Sequence, residues 1–300
     1  MDRYMKKINI FIVLTSAILL LSCSKDRSVE PKQTAGEMRF AVSIEGSVKN
    51  SMTSADLQQF YLKVTGPNNA FSYFEPITKD GQGNWKASCP ILWKDEQSSI
   101  NYSAAFYGAL GPEYFNVNVT DALYTSGAVM GVLTNQSTQA RLNAADLLSM
   151  AAVDLKFADS GGGVVPVTLK HALAKLNFNV TLAEEFYDNG IGLTESPIGE
   201  VVITHVYTSF NFKPLTGAVT IPLGPQKGAV VPFQSAYTPG TASNKKAVAK
   251  LESIQAPQTL GVGDLVLVFT IGGKNYEWAN TEALNLEQGG EYTVAVDVAY

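Results

Sequence analysis

The sequence has little charge, and no excess of positive charge. Charged residues make up 16% of the 300 residues, and the formal net charge is −5. Proteins that hold nucleic acid through its phosphates need clustered lysine and arginine. We therefore expect no nucleic-acid partner.

Cysteine and histidine are also scarce, which limits the chemistry open to the chain. The cysteines are Cys23 and Cys89, too few for a disulfide framework. His171 and His205 lie in strand-like runs with no cysteine or carboxylate at ligand spacing, so we interpret them as core or edge residues satisfied by backbone groups. No metal site, cofactor site or catalytic residue is predicted.

Two glycine-rich stretches resemble functional loops but lack the required partners. Asp80-Gly81-Gln82-Gly83-Asn84 offers one carboxylate and one amide, fewer oxygens than calcium prefers, so a tight turn is predicted. Asp159-Ser160-Gly161-Gly162 resembles the nucleophile loop of trypsin-like proteases, yet both histidines follow the serine, whereas that family places its histidine before it. We interpret Gly161 to Gly163 as a flexible turn.

The first residues are typical of an export signal. Arg3, Lys6 and Lys7 precede an apolar run from Ile8 to Leu21 that suits export better than a permanent membrane span. Leu20-Leu21-Ser22-Cys23 resembles the lipobox of bacterial lipoproteins, which implies a signal peptide over residues 1–22 and acylation of Cys23. Several acyl chains, at about 0.8 kcal/mol per methylene, would anchor the protein durably. The alternative is an ordinary signal peptide with an incidental cysteine.

The rest of the chain predicts an all-β protein. Residues 23–37 are polar and aperiodic, typical of a lipidated tether, and short alternating segments separated by Gly, Pro, Asp and Asn begin at Met38. Their spacing favours antiparallel β-sandwiches, and the length favours two domains, which we place at residues 38–168 and 169–300. The first strand is predicted at Met38 to Ile44, and one short helix at Ala144 to Ala152, capped by Asn143.

Residues 166–181 form the seam between these predicted domains. Ala174, Leu176, Phe178 and Val180 alternate with polar residues, as in a half-buried strand, whereas Leu169 and Leu173 break the phase. A bulge or a change of sheet is expected near Leu173, and a helix is the alternative.

The last segment shows the clearest alternation in the chain. Tyr292, Val294, Val296, Val298 and Tyr300 fall on one face and smaller or polar residues on the other. Bulky side chains of this kind contribute roughly 1.5–3 kcal/mol each when buried. The segment must therefore lie in a groove of its own domain or of a neighbour.

The order and spacing of several motifs resemble the fimbrillin-like family of surface lipoproteins, the subunits of type V pili. They are the lipobox at Cys23, Trp85 to Trp93 with Tyr102 to Tyr107, Asp146-Leu147-Leu148, Leu169 to Leu176, Thr216-Gly217, and Tyr276 through Val294. The resemblance implies two transthyretin-like β-sandwich domains in tandem, no catalysis, a lipid anchor in the outer membrane with the protein exposed at the surface, and a place in the fimbrium after processing.

The resemblance also implies a mode of assembly with other pilus subunits. Proteolysis would remove the leader with the first strand, and a strand from the next subunit would fill the groove. We assign the donor strand to Tyr292, Val294, Val296, Val298 and Tyr300. Pilus-forming relatives are cut after an arginine, but Glu45 to Asp56 offers only Lys49 for processing, which leaves room for an uncut anchor subunit.

Two other functions stay open from the sequence. A monomeric surface lipoprotein that binds glycans would use Trp85, Trp93 and Trp278 as a platform, although tryptophans in strands more often belong to the core. In either case a host protein or glycan receptor is a candidate partner. An enzyme whose carboxylates meet only on folding is the third alternative.

Overall fold

A computed structural model describes residues 36–45, 52–108, 119–224 and 227–300. Over these residues the chain is mainly β-strand. The described strands and helices of the first part are, in chain order, β1 (Arg39–Glu45), β2 (Gln59–Thr65), β3 (Ser72–Lys79), β4 (Trp85–Ala87), β5 (Ser99–Phe106), α1 (Asp121–Ser126), β6 (Ala128–Gly131), α2 (Gln139–Ala144), β7 (Leu148–Lys156) and β8 (Val164–His171).

The later part continues in the same style, with short strands and a single-turn helix. Its elements are β9 (Ala174–Leu182), α3 (Glu184–Asp188), β10 (Ile198–Tyr207), β11 (Ser209–Lys213), β12 (Ala218–Thr220), β13 (Lys227–Val230), β14 (Phe233–Thr238), β15 (Val248–Gln255), β16 (Gln258–Leu260), β17 (Val266–Ile271), β18 (Lys274–Ala279), β19 (Leu284–Leu286) and β20 (Glu291–Val298). The predicted all-β class is confirmed.

The largest sheet in the described chain has seven strands in the order β1-β8-β7-β5-β2-β3-β4. Its strands pair antiparallel except at one edge, where β1 runs parallel to β8. Alternate residues of β2, Phe60, Leu62 and Val64, are buried in an apolar cluster that also takes in Trp93. The first strand is therefore real, one residue later than predicted, and it lies at an edge.

The later strands form two four-stranded sheets, β13-β10-β17-β18 and β14-β15-β9-β20. Phe269 of β17 and Phe178 of β9 belong to one buried apolar cluster, so the two sheets pack as a sandwich. Tyr124 and Leu142 from the first part join the same cluster, and β6 pairs with β11. The boundary between residues 168 and 169 stays a prediction.

The strand and the change of sheet predicted at the seam are confirmed. β8 ends at His171 in the seven-stranded sheet, and β9 begins at Ala174 in a four-stranded sheet, so the chain changes sheets at Ala172 and Leu173. Leu176 and Phe178 are fully buried, while Asn179 is exposed. The helical alternative for this stretch is wrong.

The predicted helix over Ala144 to Ala152 is also wrong. α2 ends at Ala144, and β7 takes the following residues into the sheet, beside β5. Thr138, not Asn143, caps α2, because its Oγ1 accepts the Arg141 N–H at 3.3 Å. Long-range strand pairing outweighs the local leucine spacing here.

Candidate functional site

β1 covers one edge of the seven-stranded sheet and part of its apolar cluster. Its apolar side chains are half-buried, and the paired residues beside them on β8 are fully buried. The pairs are Phe40 with Val165, Val42 with Val167, and Ile44 with Leu169. Without β1, the edge of β8 would present unpaired backbone groups beside an exposed apolar strip.

The start of β1 is held from both sides. Met38 N donates to Ile91 O at 2.8 Å, and Arg39 N donates to Gly163 O at 3.1 Å. The guanidinium of Arg39 also donates to Gly162 O at 2.7 Å. The glycine turn therefore has a role that the sequence did not reveal, since its carbonyls fix the entry of β1.

The end of β1 is held more weakly. Lys170 Nζ lies 3.0 Å from Glu45 Oε2, and both side chains are largely exposed, so the pair contributes at most about 1 kcal/mol. Residues 46–51 follow, and they include the predicted processing residue Lys49, which lies outside the described residues. Cys23, the predicted lipid attachment site, also lies outside them.

We expect the turn just after residues 46–51, which we call the linker, to loosen in acid. The Thr53 hydroxyl and amide donate to Asp56 Oδ2 at 2.6 and 3.0 Å, and these hydrogen bonds lower the pKa of Asp56. Because the folded pKa lies below the unfolded one, the stabilisation is complete at neutral pH and is lost as the pH falls below about 4. The protection of the Leu57 amide, which donates to Thr53 O, reports this loss in hydrogen exchange. Asp56→Asn should remove its pH dependence.

A buried histidine–carboxylate pair lies at the end of β8. His171 Nδ1 is 2.8 Å from Asp146 Oδ2, with side chains 4% and 1% exposed. The partner of His171 is therefore a carboxylate 25 residues earlier, and the prediction of backbone partners alone is wrong. His205 is exposed at an irregularity of β10 with φ of +63°, so it is not a core residue.

β20 occupies an edge of the later sandwich, just as β1 occupies an edge of the seven-stranded sheet. It runs parallel to β9, and Val294, Val296 and Val298 are buried, with Tyr292 half-buried. Tyr300 lies beyond the strand and is 48% exposed, its ring 5.2 Å from that of Phe186. Of the residues assigned to the donor strand, Tyr292, Val294, Val296 and Val298 thus lie in a groove of their own chain, and Tyr300 does not.

A buried ion pair supports the strand beneath β20. Lys175 Nζ of β9 lies 2.6 Å from Glu252 Oε2 of β15, with side chains 1% and 6% exposed. The backbone N–H of Lys175 also donates to Gly290 O, just before β20, at 2.8 Å. The alternating pattern placed Lys175 on the polar face, so the sequence did not predict its burial.

The tryptophans do not make an exposed flat platform. Trp93 is fully buried and donates through Nε1 to Gly163 O. Trp85 is half-buried, edge-on to Phe60 at 5.3 Å, and Trp278 is also half-buried. This arrangement favours a structural role for all three.

Neither a metal site nor a membrane-spanning helix is found in the part of the chain that the structure describes. No cluster of three or more histidine, cysteine, aspartate or glutamate side chains there could hold a metal ion. No helix among the same residues is long and apolar enough to cross a membrane. Asp80 instead closes a turn, its Oδ1 accepting the Gln82 and Asn84 amides at 2.9 Å each.

Comparison with known proteins identifies the family. A family model described as fimbrillin-like matches residues 41–299. The chain belongs to the fimbrillin-like family. No curated protein matches its sequence.

Solved structures share the fold of this fimbrillin-like chain at low sequence identity. One is a candidate cell adhesion protein from Bacteroides uniformis, with a TM-score of 0.56 and 18% identity, covering 87% of this chain and 93% of that one. Another, from Bacteroides ovatus and described in the same words, has a TM-score of 0.60 and 14% identity, covering 88% and 93%. Membership of this family points to a structural protein, and the solved structures show a shared fold.

Proposed function

We propose that this fimbrillin-like chain is a subunit of a surface pilus, in the stalk or as its anchor. It is exported as a lipoprotein, anchored in the outer membrane through Cys23, and joined to other subunits by donor-strand exchange after β1 is removed. The observation that carries the proposal is the position of β1, an edge strand that covers an apolar strip of β8 and leads into the linker that contains Lys49.

Removal of β1 would create an acceptor groove for a strand of another subunit. The buried residues Val165, Val167 and Leu169 would then be exposed along an unpaired edge. A strand added there would restore backbone hydrogen bonds, at roughly 0.5–1.5 kcal/mol net each, together with apolar burial. Such an edge is costly for an isolated subunit and favours association.

We propose β20 as the donor because it is also a parallel edge strand with one apolar face. Its withdrawal removes Val294, Val296 and Val298 from their own groove, so the exchange is close to balanced in side-chain burial. The irreversible loss of β1 makes the exchange possible, since a cut subunit presents an acceptor groove that it cannot close with its own β1.

A monomeric glycan-binding lipoprotein is less well supported. That alternative needs exposed, coplanar tryptophans, whereas Trp93 is buried and Trp85 and Trp278 are half-buried. Adhesion through a host protein or glycan stays compatible with a pilus subunit, as the description of the Bacteroides relatives as candidate adhesion proteins suggests.

Limited digestion tests the proposal. Trypsin added to the purified precursor should cut after Lys49, release the segment that contains β1, and give a ladder of oligomers on electrophoresis without boiling. Folded strands resist trypsin, and Lys49 is the first basic residue after β1 in the sequence. Size-exclusion chromatography with light scattering would measure the growth of the oligomers over time.

The matched control is Lys49→Gln, which removes the basic residue between Glu45 and Asp56. This variant should stay monomeric under the same digestion. A precursor that is cut after Lys49, loses β1 and remains a folded monomer would overturn the proposal.

A further inference from the structure

β1 and β20 carry the same order of side-chain types. We infer that the groove left by β1 binds β20 of a second copy in one register, with Tyr292 in the place of Phe40 and Asp297 in the place of Glu45. The inference rests on the proposed function, because it assumes that β1 is lost and that β20 is the donor. It adds which residues of the two copies meet.

The two edge strands already bind their neighbours in the same orientation. β1 runs parallel to β8, and β20 runs parallel to β9. In both strands every second residue faces inward. β20 can therefore bind the β8 edge of a second copy in the same parallel orientation as β1, and only its register has to be determined.

The inward faces match position by position in this register. The corresponding residues are Phe40 and Tyr292, Val42 and Val294, and Ile44 and Val296. An aromatic ring replaces an aromatic ring, and β-branched side chains replace β-branched ones, the last being one methylene smaller. The apolar cluster around Val165, Val167 and Leu169 is thus refilled with side chains of nearly the same shape.

The outward faces match as well. Asp297 would stand opposite Lys170, the residue that pairs with Glu45 at 3.0 Å in the intact chain. Within the described residues Asp297 has no ion-pair partner of its own, and its Cα partner on β9 is Thr181. Small residues also correspond, since Ala295 takes the position of Ser43 opposite Thr168.

Other registers lose both matches. A shift of two residues in one direction puts Val294 at the site of Phe40, which leaves a cavity, and Ala299 opposite Lys170. A shift of two in the other direction puts Gly290 at the site of Phe40. A shift of one residue turns the valines outward.

Disulfide trapping with peptides tests the register. The full-length chain carries Thr168→Cys and a sequence-specific protease site within residues 46–51. After cleavage at that site, the protein is mixed with an excess of a peptide of residues 290–298 in a thiol redox buffer. Paired Cα atoms in a sheet lie within the roughly 4.4–6.8 Å that a disulfide needs. The peptide with Ala295→Cys should give at least about tenfold more adduct than peptides with Thr293→Cys or Asp297→Cys.

Two controls guard the result. The uncut chain with Ser43→Cys and Thr168→Cys should form an internal disulfide, since these side-chain oxygens lie 3.3 Å apart, and the cut parent with Thr168 intact controls for the native cysteines. In the Ala295→Cys peptide, Tyr292→Ala should lower the adduct about tenfold and Tyr292→Phe should preserve it.

The outcomes separate register from assembly. Equal trapping by all three peptides, stronger trapping by a shifted one, or no trapping while the positive control forms would overturn the inference. A ladder of oligomers after trypsin, together with trapping in a shifted register, would support the pilus subunit and refute the proposed register. Trapping of the Ala295→Cys peptide without any ladder keeps the register and removes polymerisation.

Discussion

Replacement of Glu252 by leucine is expected to lower the free energy of unfolding by about 3–5 kcal/mol. The substitution would leave the Lys175 ammonium, which is 1% exposed, without the carboxylate that lies 2.6 Å away. Glu252 Oε2 is not aligned as a hydrogen-bond acceptor, so the contact is mainly electrostatic. Urea unfolding followed by circular dichroism measures the loss.

A nearby exposed carboxylate provides the matched control. Glu291 accepts the Asn177 Nδ2 hydrogen bond at 2.8 Å at the surface, and Glu291→Gln should change stability by less than about 1 kcal/mol. A double-mutant cycle with Lys175→Met should give a coupling energy of about 2 kcal/mol. A loss under 1 kcal/mol for Glu252→Leu would show that water reaches the pair.

The elements that the sequence predicts well are those determined by nearby residues. The Gly272-Gly273 pair predicts a tight hairpin, and the structure joins Ile271 to Lys274 across it, with φ of +57° and +79° at the two glycines. The alternation in β9 and β20 is confirmed by the burial of Phe178 and Val296. Turn chemistry and side-chain periodicity are local properties, so the sequence alone is enough to predict them.

The missed features depend on which distant strands pair. Lys175 reads as an outward residue, yet β15 brings the carboxylate of Glu252 to it from 77 positions away along the chain. His171 meets Asp146 only because the loop after α2 folds against the end of β8. Neither pair has a signal in local spacing, and both need the register of the sheets.

The two strands that move in the proposed mechanism pair with two consecutive strands of the chain. β1 pairs with β8 and β20 with β9, and only Ala172 and Leu173 separate those two acceptor strands. The site is therefore built from consecutive strands of the seam, with edge strands from distant parts of the chain laid on them. A test that holds one edge strand in place addresses the mechanism directly.

Locking β20 in its own groove is expected to abolish polymerisation. Ala295 and Asn179 are exposed Cα partners across β20 and β9, so Asn179→Cys with Ala295→Cys can form a disulfide that keeps the native fold. After trypsin removes β1, the oxidised variant should give no ladder, because its subunits can accept a strand but cannot donate one. Reduction should restore the ladder in the same sample.

The control is a disulfide of the same kind between strands that are not proposed to move. Thr270 and Asn275 are partners across β17 and β18, and Thr270→Cys with Asn275→Cys should polymerise equally well whether oxidised or reduced. Mixing the oxidised variant with Asn179→Cys and Ala295→Cys into the wild-type digestion should shorten the wild-type polymers. Each locked subunit can accept a donor strand but cannot donate its own, so the polymer stops growing there. Growth of the locked protein at the wild-type rate would mean that the donor is another segment, because a strand tied to β9 cannot reach the β8 edge of a neighbour.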